Sequence, residues 1–470
     1  MAKDEIEKIE RTEKAFLEIF GYEGRQYVKF MEEFMEDYHA INPRTNAKLI
    51  KNVSNYFKNL SDENLAKIQP EFMQVMGIMN QKKLIKTELL NALNFQYVMH
   101  RFNKTNQGCR TYVLSIPEAM YNINPQIKAY SEAISNKEYN KSLEGKLLGK
   151  MIPFIGARPK RDEKLGIIAL GCGLGDHEYE FALNFIKQKR LREDRIRLYL
   201  TDVSNSMVEQ AVANAQNRNL KRIKEGKKPI DTLGFQLDFT KCMIDADNIA
   251  ADDYRVFLLL GTTLGNFKPL VQKVILYNVC LALRDLDDNL VVGVKGIDYK
   301  NGEPDAKRMM QEYSLSGKFA YKMLEISGIE RQCLSDYTIS FGFNKYKDPY
   351  KEPNHRDKCY TIPEIICSFP LIKDIELQFE GKLKINNIRL YKGDRINMIN
   401  SQRFTQNTLN GLISPIITRA DKNVLPDEGY YKPYSTDHLK TKKILEEDGY
   451  IVGLYESKDL AKVRNKKRSR

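Results

Sequence analysis

The chain has 470 residues, 42% hydrophobic and 29% charged, and its 75 Lys and Arg against 62 Asp and Glu leave a formal net charge of +13. This is the composition of a soluble globular protein with apolar content for two or three domains. Membrane and secreted classes are not indicated: no run approaches the length of a span, MAKDEIEKIERTEK is too charged for a secretory signal, and seven scattered cysteines, never spaced as Cys-x-x-Cys, give neither a disulfide framework nor a zinc knuckle.

A cytoplasmic location is therefore the default expectation. Five histidines argue against a metal-centred mechanism, and the four-residue spacing of His355 and Cys359 is more often chance than a metal site. The positive charge would attract polyanions, but much of it is diffuse, and the concentrated part, KVRNKKRSR from Lys462, reads first as a solvated end.

Residues 1–155 are predicted to be a helical N-terminal region. Ile6, Ile9, Ala15, Phe16, Ile19 and Phe20 recur with helical spacing, as do apolar positions through Tyr27 to Tyr38, Leu65 to Met79 and Leu84 to His100. These patterns share no period, so no repeat array is expected. Gly108 to Leu148 is polar and tyrosine-rich and wraps toward the next domain.

Residues 160–300 carry the organising unit. Leu165 to Leu170 reads as a strand buried on both faces, Gly171-Cys172-Gly173-Leu174-Gly175 as a tight turn, and a helix begins near His177. A second strand, Ile196 to Leu200, ends at Thr201-Asp202, giving β-α-β with glycines on the first turn and an acid at the second tip. Glycine lets a ligand approach the backbone closely, and the Asp202 carboxylate can accept both hydroxyls of a ribose. A nicotinamide dinucleotide wants its third glycine one residue later than Gly175, and its pyrophosphate would meet Asp176 and Glu178. S-adenosylmethionine has no phosphate and carries a sulfonium cation, so the residues favour the methyl donor.

Ser204 to Ala215 reads as a capped helix. Leu233 to Phe239 forms a third strand, whose Asp238 and Phe239 would take the adenine amino group and cover the base. A fourth strand, Arg255 to Leu260, leads into Gly261-Thr262-Thr263-Leu264-Gly265-Asn266-Phe267, a loop that in an open parallel sheet faces the ligand. The helix Val271 to Leu283 and a fifth strand, Leu290 to Lys295, complete the region.

The fold class predicted is α/β: a Rossmann-like sheet with a helical N-terminal region, which the family resemblance carried by FLLLGTTLGNF, from Phe257, implies to be a class I methyltransferase sheet with a second α+β substrate lobe. Residues 301–461 would supply a helix over Met309 to Ile326, extended segments at Tyr337 to Phe343, Ile375 to Leu383 and Ile388 to Ile399, two of which finish the sheet, then a helix over Thr436 to Glu447 and a strand over Tyr450 to Tyr455. Residues 462–470 are the basic tail.

FLLLGTTLGNF, through Asn266, closely resembles the LGSTIGNF-type signature of the histidine-specific, S-adenosylmethionine-dependent Nα-methyltransferases of the ergothioneine pathway. The resemblance extends to the glycine turn, to TDVSNSM around Asp202, to LDF around Asp238 and to GDRINMINSQRFT from Gly393, over about Lys164 to Leu412. It implies that Gly171, Cys172, Gly173 and Gly175 with Gly261 and Thr262 line the cofactor, that Asp202 takes its ribose and Asp238 with Phe239 its adenine, and that Thr263 and Asn266 hold the acceptor. Asn266 would anchor the acceptor's amino and carboxylate end.

One departure stands out. The resemblance implies a Glu-x-Ser pair gripping an imidazole shortly before a basic-aromatic-Thr run; here the run is Arg403-Phe404-Thr405 and the pair is Ile399-Asn400-Ser401. Isoleucine cannot hydrogen-bond an imidazole, and a lost partner for a buried polar group costs about 1 to 3 kcal/mol. The expectation is a methyltransferase acting on the amino group of an amino acid or related small amine. RNA or protein as acceptor, and a catalytically silent relative, are the alternatives.

Overall fold

The computed structural model describes residues 103–104, 110–113, 124–134, 141–156, 164–237, 239, 254–261, 263–267, 269–283, 288–314, 316–326, 329–347, 359–377, 388–413 and 439–457. The helices expected before His100 and the basic tail lie outside the described residues.

In chain order the elements that position the site are β1 (Asn103–Lys104), β2 (Arg110–Val113), α1 (Asn124–Ile134), α2 (Lys141–Met151), β3 (Leu165–Leu170), α3 (Asp176–Lys189), β4 (Ile196–Asp202), α4 (Asn205–Lys224), β5 (Asp231–Gln236), β6 (Tyr254–Leu259), α5 (Pro269–Ala282) and β7 (Asn289–Lys295). A two-stranded ribbon, β8 (Tyr299–Lys300) with β9 (Glu303–Pro304), leads to α6 (Ala306–Gln311) and α7 (Ser316–Ile326). Then come β10 (Thr338–Lys347), β11 (Cys359–Pro370), β12 (Ile375–Leu377), β13 (Ile388–Leu390), β14 (Arg395–Gln402), α8 (Gln406–Ile413), β15 (Leu439–Glu447) and β16 (Tyr450–Ser457).

Seven strands form the main sheet in the order β15-β16-β7-β6-β3-β4-β5. The five from β7 to β5 run parallel; β16 is antiparallel to them, and β15, antiparallel to β16, runs in their direction again. Every residue of β3 is buried, because helices cover both sheet faces and a continuous apolar run is the only sequence that satisfies both. The chain leaves β3 outward through β4 and β5, then crosses back to lay β6 on the other side. That reversal opens a crevice at the carboxyl ends of β3, β4 and β6.

A second sheet, ordered β1-β2-β14-β11-β10, takes strands from sequence on both sides of the main sheet. Asp394 ties it together: its Oδ1 accepts the Arg110 N–H at 2.7 Å and its Oδ2 the Tyr112 hydroxyl at 3.0 Å. Burial, then Asp394, pushes the Tyr112 phenol up to about 12. The end of β14 runs onto the tip of β7, where the Phe404 N–H donates to the Lys295 carbonyl at 3.0 Å and the Ile297 N–H to the Phe404 carbonyl at 3.1 Å.

Four sequence expectations are corrected. The segment read as a helix over Thr436 to Glu447 is strand β15; Asp448 (φ 47) and Gly449 (φ 73) form the two-residue left-handed turn that joins a β-hairpin. Leu439-Lys440-Thr441-Lys442-Lys443 is charged because it is the outermost strand, where lysines discourage edge pairing. The hairpin that completes the main sheet is thus β15-β16; β10 and β14 belong to the second sheet, and β12 with β13 is a separate two-stranded ribbon. Finally, Met309 to Ile326 is two helices, and Ile388 to Ile399 is two strands broken at Gly393 (φ 92), where Asp394 Oδ2 accepts the Tyr391 N–H at 3.1 Å.

Candidate functional site

The turn after β3 depends on three left-handed glycines, Gly171 (φ 70), Gly173 (φ 53) and Gly175 (φ 73), conformations that an L side chain rarely adopts. The N–H groups of Gly171 and Cys172 both donate to the Thr201 carbonyl at 2.9 Å, locking the turn onto the end of β4. A Cβ at Gly171 would lie 2.8 Å from Thr263 Cγ2, so the turn after β3 and the loop after β6 are already in contact.

Asp202, at the tip of β4 on the other side of the glycine turn, is only 9% exposed. Its Oδ2 accepts the Gly173 N–H at 3.2 Å and its Oδ1 the Ser204 N–H at 3.0 Å. Each oxygen keeps a lone pair, since a carboxylate offers about four acceptor sites. Burial pushes the carboxyl up to about 6 against the lowering effect of the Ser204, Gly173 and Val203 N–H groups. Ser204 in turn caps α4, its hydroxyl accepting the Met207 N–H at 3.3 Å.

The surroundings are acidic. Glu178, buried on the first turn of α3, is pushed up to about 8 by burial and by Glu144, Asp176 and Asp202, its own N–H acting the other way. The buried Cys172 thiol is raised by burial, then by Asp202 and Glu178. A pyrophosphate would be repelled here, whereas a nucleoside carrying a sulfonium would not, so the residues present fit S-adenosylmethionine.

A pH effect follows for stability. The folded Glu178 carboxyl titrates near 8 against an ordinary 4.5, so its stabilising contribution is complete below 4.5 and lost as pH rises through 8. Glu178→Gln has no such loss. Thermal melts should show Tm falling less for the variant than for the wild type across that window; parallel profiles would mean that the carboxyl is solvated.

On the other side of the crevice a single 3-10 turn, Thr263–Asn266, follows β6. The Thr263 hydroxyl reaches the Gly171 carbonyl at 3.5 Å. Gln272 of α5 holds the turn from below, its Nε2 donating to the Leu264 carbonyl at 3.0 Å, the Phe267 carbonyl at 2.8 Å and Gln402 Oε1 at 2.6 Å. A Cβ at Gly265 would lie 3.0 Å from the Gln402 carbonyl, which presses the turn against the end of β14. Asn266 itself is exposed.

Phe239 is buried beside Gly171 and meets Phe267 edge to face, ring centroids 6.4 Å apart, while its carbonyl accepts from Asn278 at 2.9 Å. The structure therefore brings together Gly171, Cys172, Gly173, Gly175, Asp202, Phe239 and Thr263. Asp238 and Thr262 lie outside the described residues. Ile399, half-buried, and Ser401, buried, stand on β14 away from the glycine turn; the Tyr313 hydroxyl donates to Ser401 Oγ at 2.8 Å.

Three residues escape sequence reasoning. Glu144 of α2, fully buried, accepts the Gly261 N–H at 3.0 Å and lies 3.4 Å from His177 Nδ1, bracing the start of the loop after β6. Tyr130 of α1 places its hydroxyl 3.6 Å from where a Cβ at Gly173 would stand. Tyr313, through Ser401, is the third. The only signal for Glu144 was an acid among the apolar positions of KSLEGKLLGKM.

Residues 127–322 match the family model described as histidine-specific methyltransferase, SAM-dependent. Over these residues, under half of the chain, the sequence is similar to the S-adenosylmethionine-dependent methyltransferases. No curated protein matches the chain. Among solved structures, this methyltransferase is similar to an S-adenosylmethionine-dependent methyltransferase from Clostridium acetobutylicum at 10% identity and a TM-score of 0.31, covering 71% of this chain and 99% of that one. It is also similar to the CcbJ methyltransferase from Streptomyces caelestis at 11% identity and a TM-score of 0.31, covering 67% and 96%. The methyltransferase sheet order, with its antiparallel final hairpin, is carried by the strand pairing itself. Among the described residues of the methyltransferase, no helix is long and apolar enough to cross a membrane.

Proposed function

We propose that this methyltransferase transfers a methyl group from S-adenosylmethionine to the amino group of an amino acid or related small amine. The observation that carries the proposal is the meeting of three strand tips: Gly171 against Thr263, Gly173 against Asp202, and the turn ending at Asn266 beside them. The family match over 127–322 supports an amino-acid acceptor.

The methyl donor supplies a carbon already activated by positive sulfur. Gly171 and Gly173 let it approach the backbone, and Asp202 offers its remaining lone pairs to the ribose hydroxyls. Phe239 covers the base, with Asp238 on its amino group. Asn266 orients the acceptor nitrogen through a neutral amide, so it adds no charge that would favour the ammonium form over the nucleophilic amine. The acidic wall of Glu178 and Asp202 is compatible with a cationic donor.

The test is incubation with tritiated S-adenosylmethionine and an amino-acid pool, bulk RNA or bulk protein, each at low and high salt. Label is expected in the small-amine fraction with little salt dependence. Label in RNA that falls steeply with salt, or in protein, would overturn the acceptor class.

A further inference from the structure

Two residues that their own elements do not explain meet at one atom. Gly293 interrupts β7, a strand whose every residue is buried, where a glycine forfeits side-chain packing and weakens the strand. Glu144 stands on the buried stripe of α2, in line with Leu147, Leu148 and Met151, where a carboxylate is costly without partners. A Cβ at Gly293 would lie 2.6 Å from Glu144 Oε1, the same oxygen that accepts the Gly261 N–H at 3.0 Å. The glycine leaves the room that the carboxylate fills.

Through these contacts α2 reaches two sides of the crevice. Glu144 Oε1 holds the first residue after β6, and its Oε2 lies 3.4 Å from His177 Nδ1 on the first turn of α3. Gly261 is left-handed, φ 67, so the direction in which the chain leaves β6 is set there. The Thr263 N–H then returns to the Leu260 carbonyl at 3.2 Å and the turn Thr263–Asn266 begins. Gln272 and the Gln402 carbonyl steady that turn farther along. Glu144 fixes its origin. The glycine turn after β3 is held separately, by the Thr201 carbonyl and by Asp202.

Resting on the methyl-transfer reading above, we infer that Glu144 is the positioning residue that aims the Asn266 turn, acting through the Gly261 N–H, and that Gly293 is glycine to admit it. Rate is steeply sensitive to such aim: about 1 Å of misplacement, caused far from the chemistry, can cost on the order of a hundredfold. The role asks for an acceptor at that point, not for a charge.

The full-length protein should be assayed for turnover with saturating tritiated S-adenosylmethionine and a fixed pool of the common amino acids, with donor affinity by calorimetry and a thermal melt for each variant. Glu144→Ala should lower turnover about ten- to a hundredfold while donor affinity stays within about threefold. Glu144→Gln, whose amide oxygen still accepts the Gly261 N–H, should recover most of that loss. Gly293→Ala displaces the end of a flexible side chain and presses only lightly on Leu260, 3.2 Å away, so it should fold and reproduce much of the alanine loss. In the Glu144→Ala background the same change should cost less than about twofold, because the atom it displaces is gone. Should Glu144→Ala fail to fold, Gly293→Ala and Glu144→Gln decide the question. Full turnover in folded Gly293→Ala, a glutamine variant that loses at least tenfold, additive losses in the double variant, or donor affinity falling in step with turnover each overturns the inference and leaves amine methylation standing. Normal donor affinity with no labelled amino acid in the wild type overturns the acceptor reading, and this inference with it.

Discussion

Asp202→Ala is expected to weaken S-adenosylmethionine binding by about 3 kcal/mol, on the order of a hundredfold, in calorimetric titrations at pH 8. Hydrogen bonds to a charged acceptor are worth about 1.5 to 3 kcal/mol each, and two ribose hydroxyls would share this carboxylate. The substitution also strips the Gly173 and Ser204 N–H groups of their acceptor, loosening the glycine turn against β4. The pH profile gives a second reading of the same residue. Burial holds the carboxyl near 6 rather than 3.8, so in the free protein its stabilising contribution is complete below 3.8 and lost as pH rises through 6. Donor binding runs the opposite way, strengthening as the carboxylate forms. Wild-type affinity should therefore fall below about pH 6 and that of Asp202→Asn should lack this step, with Glu178 titrating separately near 8. Undiminished affinity in the alanine variant would remove Asp202 from the cofactor site.

What was legible in the sequence is what local geometry imposes. Gly171, Gly173 and Gly175 had to be glycine because each takes a positive φ, and β3 had to be continuously apolar because both its faces are covered. Asp202 could be picked out because an acid at a buried strand tip is costly without a reason. What escaped is set by long-range contact: Glu144 meets Gly261 across 117 positions, and Tyr313 meets Ser401 across 88. No spacing rule reaches that far. The misread β15 has a different cause. Leu439, Ile444 and Leu445 break strand alternation because the register shifts between Thr441 and Lys443 and both faces of the strand meet core, Leu439 and Ile444 on one side and Leu445 on the other, and the Asp448-Gly449 turn was the better guide.

Asn266→Ala should leave S-adenosylmethionine affinity within about twofold and lower kcat by about a hundredfold, the cost of removing one oriented polar group from a reacting centre. The turn that carries Asn266 is held by Gln272, by Gly265 against Gln402 and by Thr263 against Gly171, and none of these contacts uses the Asn266 side chain. The substitution therefore spares the scaffold and reports on the amide alone. Asn266→Asp separates orientation from charge. A carboxylate at that position would stabilise the ammonium form of the acceptor and raise its pKa, so turnover lost near neutrality should return as pH is raised, whereas the alanine loss should persist at every pH. If the alanine variant instead lost donor affinity in proportion to turnover, Asn266 would belong to the cofactor side of the crevice and the acceptor would have to be anchored elsewhere.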